Sequence, residues 1–337
     1  MRSLTGKPKI ALYWASSCGG CEIAVLGIHE KILDVADAFD IVFWPCVLDG
    51  KREDVDALAD GELLFTLFNG AIRNDENYEM AQLLRRKSQV LVAFGSCAHE
   101  GCMPGLGNFN NRRQMFDWIY HNAPTTHNPD NVEPVAGGWE FPEGHVYIPG
   151  YWDTVKTLAQ VVDVDYYLPG CPPESDRIWD ALTAIIENKL PPKGSVIGSD
   201  VAACDECSRT KSEKKIKQFY RPHQIIPDPE VCLLEQGILC AGIATRSGCG
   251  ALCPQVNMPC RGCYGPNEGV IDQGARFLSG VASVIDSEDP EEIEAILDTI
   301  ADPAGTFYRF SLPNSLLHRV AMGTNGSPSG NGKGQEA

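Results

Sequence analysis

Fourteen cysteines in a 337-residue chain constrain the possible folds more than any other feature of this sequence. A disulfide framework requires an oxidising compartment and usually a small domain with little core. This chain is 43% hydrophobic, enough to bury a substantial core, so reduced thiols are expected instead. Several fall in close pairs at metal-ligand spacing: Cys18-x2-Cys21, Cys204-x2-Cys207, Cys249-x3-Cys253 and Cys260-x2-Cys263. Lys plus Arg number 28 against 45 Asp plus Glu, for a net charge of -17. Such a chain repels phosphate backbones and anionic lipid, and no basic run offsets that, so no nucleic-acid partner is expected. No apolar stretch approaches the roughly 18 residues of a membrane span. Met1 to Ile10 leads almost at once into a first strand, leaving no room for a secretory leader. A cytoplasmic protein is expected.

The first 190 or so residues read as alternating strands and helices. Strands are expected over Lys9–Ser16, Ile41–Val47, Leu63–Phe68, Gln89–Gly95 and Asp165–Leu168. Between them, Ile23, Leu26, Ile28, Ile32, Leu33 and Val35 mark one apolar helix side, and Lys51–Asp60, Asn74–Arg86, Arg112–His121 and Glu174–Asn188 read as further helices. Residues 122–144 read as loop. Alternation of this kind predicts an α/β fold with a doubly wound parallel sheet. After the Pro-rich linker Lys189–Gly194, the stretch Cys204–Gly265 has little periodicity and eight cysteines, so it builds little apolar core. Asp289-Pro290-Glu291-Glu292 then opens a helix to about Ile300, with Ile293, Ile296 and Leu297 inward. The expected division is 1–193 for the sheet domain, 194–323 for a loop-rich cysteine domain, and 324–337 for a disordered tail.

Cys18 and Cys21 fall where the first strand gives way to the first helix, Cys97 follows the fourth strand, and Cys171 follows the last. The carboxyl ends of parallel strands share one edge, so four thiols distant in sequence converge there. Glycines beside Cys18, Cys97 and Cys171 permit close backbone approach and amides aimed at an anionic cluster. A Cys-x-x-Cys at such a turn is also a thioredoxin signature, and four thiolates also suit zinc. Cys97 and Cys171 at equivalent strand ends favour a [4Fe-4S] cluster.

Downstream, Cys204, Cys207, Cys232, Cys240, Cys249, Cys253, Cys260 and Cys263 are the eight thiols that two further [4Fe-4S] clusters require. Chain order pairs the first four and the last four, although ferredoxins can swap one ligand between clusters, and that alternative stays open. Zinc pairs would be separated by roughly 15 to 20 residues, which these are not. Cys46 reads as a small buried residue after a strand, and Cys102 as a lining residue near Cys97. Glu22 and His99 each adjoin a candidate ligand and could tune a potential or pass protons, although a Glu at a helix start is ordinarily a solvated dipole partner.

Cys18-Gly-Gly-Cys21-Glu22, Gly95-Ser-Cys97-Ala98, Pro169-Gly-Cys171-Pro-Pro173 and Pro259-Cys260-Arg-Gly-Cys263 together resemble the small, electron-transferring subunit of [NiFe] hydrogenases. The resemblance runs to about Gly265. From Cys232 to Cys263 it is most similar to the cytoplasmic F420-nonreducing hydrogenase gamma subunits linked to heterodisulfide reductase. It implies a flavodoxin-like domain followed by a ferredoxin-like one, three [4Fe-4S] clusters, and a nickel-iron centre on a separate large subunit. Carried over by position, Cys18, Cys21, Cys97 and Cys171 are proximal ligands. Cys249, Cys253, Cys260 and Cys263 are medial, and Cys204, Cys207, Cys232 and Cys240 distal. Electrons from hydrogen would pass along them to an iron-sulfur or flavin partner such as heterodisulfide reductase. Cys204 stands where periplasmic members carry His, and an all-thiolate set lowers that potential. The periplasmic members' twin-arginine leader is absent, and Gly19 and Gly20 replace the extra Cys of oxygen-tolerant members. Two related readings stand beside this one: a subunit of a coenzyme F420-reducing hydrogenase, and the one-cluster quinone-reductase relative, which leaves eight cysteines without a role. A zinc-stabilised interaction protein is the reading from a different class.

Overall fold

The structure is a computed structural model and describes residues 6–212 and 215–319; the expected tail over 324–337 lies outside the described residues. Among the described residues nine strands form: β1 (Lys9–Trp14), β2 (Asp40–Phe43), β3 (Leu63–Asn69), β4 (Ile72–Asn74), β5 (Ser88–Phe94), β6 (Trp139–Phe141), β7 (Gly144–Val146), β8 (Tyr151–Lys156) and β9 (Tyr166–Leu168). Five of them build one parallel sheet in the order β2-β1-β3-β5-β9. Renumbered within the sheet, that is the 2-1-3-4-5 order of flavodoxin-like folds, with its switch point between β1 and β3.

Side chains alternate across each strand, and here both faces are buried. Ile10, Leu12, Phe65, Leu67, Val92 and Phe94 pack against Val25, Val35, Ile178 and Leu182 of helices on one face. Ala11, Tyr13, Phe68, Leu91 and Ala93 pack against Val55, Met80, Leu83 and Leu84 on the other. The helix Asp75–Lys87 starts where Asn74 Oδ1 accepts the Asn77 amide at 2.8 Å.

Several sequence expectations need correction. The apolar stretch from Ile23 to Val35 is two helices, Gly20–Leu26 and Lys31–Ala38, parted by a turn in which His29 takes φ 58°. The two short helices bury Val25 and Val35, while Ile23 and Leu26 on the first and Leu33 on the second are 69%, 44% and 66% exposed rather than inward. The strand expected to reach Val47 ends at Phe43, and Cys46 is exposed, not buried. The helix expected over Arg112–His121 is α-helical only to Phe116, then widens into a π-helical turn, Asp117–Asn122. The 122–144 loop contains β6, which pairs with β7 in an exposed antiparallel hairpin. Strands β4 and β8 pair antiparallel beside the main sheet; one is three residues long, the other half-exposed, so neither shows a clean alternation.

The second half holds short helices and loops around its own core. Leu234, Ala241 and Ala244 from the cysteine-rich stretch join Phe277, Val281, Ile296 and Phe307, so that stretch contributes more core than its composition suggests. Helices Gln273–Ala282 and Pro303–Tyr308 supply much of the rest and were not legible in sequence. The helix Pro290–Leu297 opens as expected, with Asp289 accepting the Glu291 amide at 2.9 Å, but Leu297 is exposed and Ile300 is buried instead. Ser311–Arg319 then returns to the first half. Asn314 donates to Glu100 at 2.9 Å, Gln160 donates to the Pro313 carbonyl at 2.7 Å, and Asn108 donates to the His318 carbonyl at 2.8 Å.

Candidate metal centres

The carboxyl edge of the sheet carries the first group of thiols. After β1, Gly19 (φ 79°) caps the helix Gly20–Leu26, which puts Cys21 in its first turn. β5 ends at Gly95, with φ 80° and ψ 163°, a conformation open essentially to glycine alone. Cys97 follows in the short helix Ser96–Glu100. β9 ends before Gly170, and Cys171 comes next. The Gly95 amide donates to the Leu168 carbonyl and the Ser96 amide to the Gly170 carbonyl, both at 2.8 Å, locking the β5 and β9 loops together. A Cβ on Gly95 would lie 2.4 Å from Cys21 Sγ, so this glycine makes room for the thiol.

Cys18 and Cys171 are exposed, and Cys21 and Cys97 are buried. A fifth thiol belongs to the group: Cys102 is fully buried, with its Sγ 3.6 Å from that of Cys171. Burial, then the nearby Cys171 and Cys18 thiols, raises the Cys21 pKa; the contact with Cys102, then burial, raises that of Cys171. Bare thiolates crowded this way oppose one another's ionisation. A metal core supplies the compensating positive charge, so the donor set fits a thiolate-bound cluster.

Glu22 is buried rather than solvated, accepting hydrogen bonds from Trp44 Nε1 and from Asn69 Nδ2, the latter at 3.2 Å. Burial raises its pKa, and those two donors oppose the rise. His99 is half-buried with its Nε2 3.1 Å from Glu100 Oε1 and its ring 4.7 Å from that of Tyr167; loss of solvent around it lowers its pKa. Trp44 and Asn69 had no sequence signal, because each is set beside the site by packing from another element.

The remaining eight thiols line one cavity. Burial, then the Cys240 and Cys232 thiols, pushes Cys204 up to about 11. Burial likewise raises Cys240, with Cys232 and Cys207 adding to it, so these four face one another. Burial pushes Cys263 up to about 12, against a hydrogen bond from the Cys171 backbone, while the Cys171, Cys249 and Cys253 thiols add to the rise. Cys263 therefore stands between the first group and the last. The Cys260 amide donates to Cys240 Sγ at 3.3 Å, joining the two halves of the cavity. Gly242 lies against them, since a Cβ there would be 3.1 Å from Cys204 Sγ. An apolar cavity lined by eight thiols, with an amide aimed at sulfur, fits cubane clusters.

Arg209 was also illegible in sequence. Its buried guanidinium donates to the carbonyls of Asp228, Val231 and Pro254 at 2.8 to 3.1 Å, tying together loops that carry cysteines. Lys211 Nζ donates to the Cys204 carbonyl at 2.6 Å and the Cys207 carbonyl at 3.1 Å. Elsewhere, Asp117, His121 and Glu133 cluster, but the Arg113 guanidinium lies on both carboxylates and supplies the positive charge there. Among the described residues no helix is long and apolar enough to cross a membrane.

A flavodoxin-like sheet with thiols at three strand ends, joined to a loop module lined by eight more, defines the class of iron-sulfur small subunits of redox complexes. The family model described as NADH ubiquinone oxidoreductase, 20 Kd subunit, matches residues 18–185, the sheet half alone. The iron-sulfur subunit of the F420-non-reducing hydrogenase of Archaeoglobus profundus is 38% identical over 319 residues, 92% of this chain and 98% of that one. Its counterpart in the F420-non-reducing hydrogenase of Methanothermobacter thermautotrophicus is 37% identical, over 92% of this chain and 96% of that one. A chain in a crystal structure of an NAD+-reducing [NiFe]-hydrogenase aligns with 29% identity and TM-score 0.47, over 55% of this chain and 94% of that one. The chain belongs to the family of F420-non-reducing hydrogenase iron-sulfur subunits, and is thus part of an oxidoreductase. Unlike the family model, these relatives extend across the later cysteines, which the quinone-reductase reading left unused.

Proposed function

We propose that this chain conducts electrons through three [4Fe-4S] clusters in a cytoplasmic [NiFe] hydrogenase. Cys18, Cys21, Cys97 and Cys171 would hold the proximal cluster. Cys249, Cys253, Cys260 and Cys263 would hold the medial one, and Cys204, Cys207, Cys232 and Cys240 the distal one. The supporting observation is the unbroken succession of thiols: Cys21 faces Cys171, Cys171 faces Cys263, and the Cys260 amide touches Cys240. This succession runs in the order proximal, medial, distal. The clusters would supply one-electron redox chemistry at potentials set by their surroundings. The protein's part is to space the sulfurs, exclude water and aim amides at them.

The exposed side chains of Ile23, Leu26 and Leu33 lie on the two helices that follow Cys18, and an apolar face there suits a nickel-iron large subunit. At the far end, an iron-sulfur or flavin partner such as heterodisulfide reductase would accept the electrons. All fourteen cysteines are free thiols, which suits a reducing cytoplasm.

The test is iron, acid-labile sulfide and zinc in anaerobically purified protein, with nickel measured in whatever large chain co-purifies. About twelve irons with matching sulfide are expected. About four irons would leave only the proximal cluster, and zinc without sulfide would refute electron transfer.

A further inference from the structure

Beside the cysteine-lined cavity lies an open cleft of about 280 Å³, and Arg261 lines both. Arg221, His223 and Arg309 also line the cleft, with Tyr220 and Leu239 among its less polar walls. Its one carboxylate, Asp302, already accepts the Gly305 amide at 3.0 Å. Three guanidiniums therefore meet a single occupied acid. Among the described residues no carboxylate pairs with Arg221, Arg261 or Arg309. In a chain of net charge -17, an uncompensated basic cleft runs against the overall field.

Like charges held together favour an incoming anion, which recovers the repulsion on binding. The cleft is far larger than a phosphate, and its tyrosine and leucine offer surface for an apolar side chain. Arg261 is also the wall shared with the thiols, so an occupant of the cleft comes next to Cys240 and Cys260.

We propose that this cleft docks an acidic segment of the electron-accepting partner protein, with carboxylates on Arg221, Arg261 and Arg309 and an apolar side chain against Tyr220 and Leu239. The electron-accepting character of the partner rests on the cluster reading above; the docking itself rests on the cleft.

The test uses the anaerobically purified full chain with its co-purified large subunit, and a fluorescent twelve-residue peptide of Glu and Leu as probe. Anisotropy should show binding that weakens steeply with salt, because the contacts are ionic. The R221Q/R309Q variant, which leaves every cysteine and its neighbours intact, should bind about tenfold more weakly. Its iron content and its hydrogen-dependent reduction of a small dye should match the wild type. Unchanged peptide affinity in the variant, or equal binding of a Lys/Leu peptide, would overturn the proposal. So would full displacement of the probe by inorganic phosphate at matched ionic strength, which would mark a small-anion site. Sedimentation showing self-association that the variant abolishes would overturn it in favour of a second copy. Peptide binding as expected in a sample that holds zinc and no sulfide would uphold the docking surface and refute the cluster reading.

Discussion

Replacing Gly95 by Ala isolates the physical reason for the first thiol group. Gly95 has φ 80° and ψ 163°, where a side chain costs about 1–3 kcal/mol. The added Cβ would also stand 2.4 Å from Cys21 Sγ, so the thiol must move. Cys21 is buried, and its helix packs through Val25 into the core on that face of the sheet, so displacement adds to the backbone strain. Together these give a loss of about 3 kcal/mol, or roughly 6–12 °C in Tm for a unit of this size. Displacement of one of four ligands should also remove the proximal cluster, about four irons of about twelve. The comparison is Gly61→Ala: Gly61 has φ 72°, and the nearest atom to an added Cβ is Gln89 Cγ at 4.0 Å. It should cost about 1 kcal/mol and leave iron unchanged. The assay is a thermal melt with iron and sulfide analysis of all three proteins. If Gly95→Ala keeps full iron and melts no lower than Gly61→Ala, the close approach of Gly95 to Cys21 does not shape the site.

Three further outcomes follow from the same geometry. Cys102→Ala should retain full iron and lose about 1 kcal/mol of stability, as a small buried truncation does, whereas Cys171→Ala should lose about four irons; equal losses would make Cys102 a ligand. Asp165 accepts from Arg85 and Lys193, each at 2.6 Å, and from the Leu91 amide at 2.8 Å. Burial alone would raise its pKa, but these partners outweigh burial and hold it below the usual carboxylate value. Its stabilisation is therefore present above that value and lost only as pH falls through the lowered one. Asp165→Asn should cost about 2 kcal/mol, unchanged between pH 8 and pH 5 in urea melts; a penalty fading already in that range would show that burial prevails. Ile23→Glu with Leu33→Glu should change stability by no more than about 0.5 kcal/mol, because both side chains are exposed, yet abolish co-purification of the large subunit; retained pull-down would put the interface elsewhere.

The sequence by itself determined the alternation of strands and helices and the places of the cysteines on it. Both follow from local patterns: buried strands are largely apolar, and a candidate ligand at a strand end is marked by its neighbouring glycine. The positions of Cys18, Cys21, Cys97 and Cys171 at one sheet edge were legible because parallel topology brings strand ends together. Only the tertiary structure decided the rest. The apolar stretch from Ile23 to Val35 looked like one helix, but it breaks into two around His29, with Leu33 exposed and Val35 buried. Glu22 looked solvated, but Trp44 and Asn69, from distant parts of the chain, enclose it. Cys102 touches Cys171 across 69 residues of sequence, and Arg209 reaches loops that no spacing rule connects to it. The core of the second half depends on Phe277 and Phe307 packing against residues near Cys232 and Cys240. Such contacts come from the packing of separate elements, which leaves no periodic trace in the sequence.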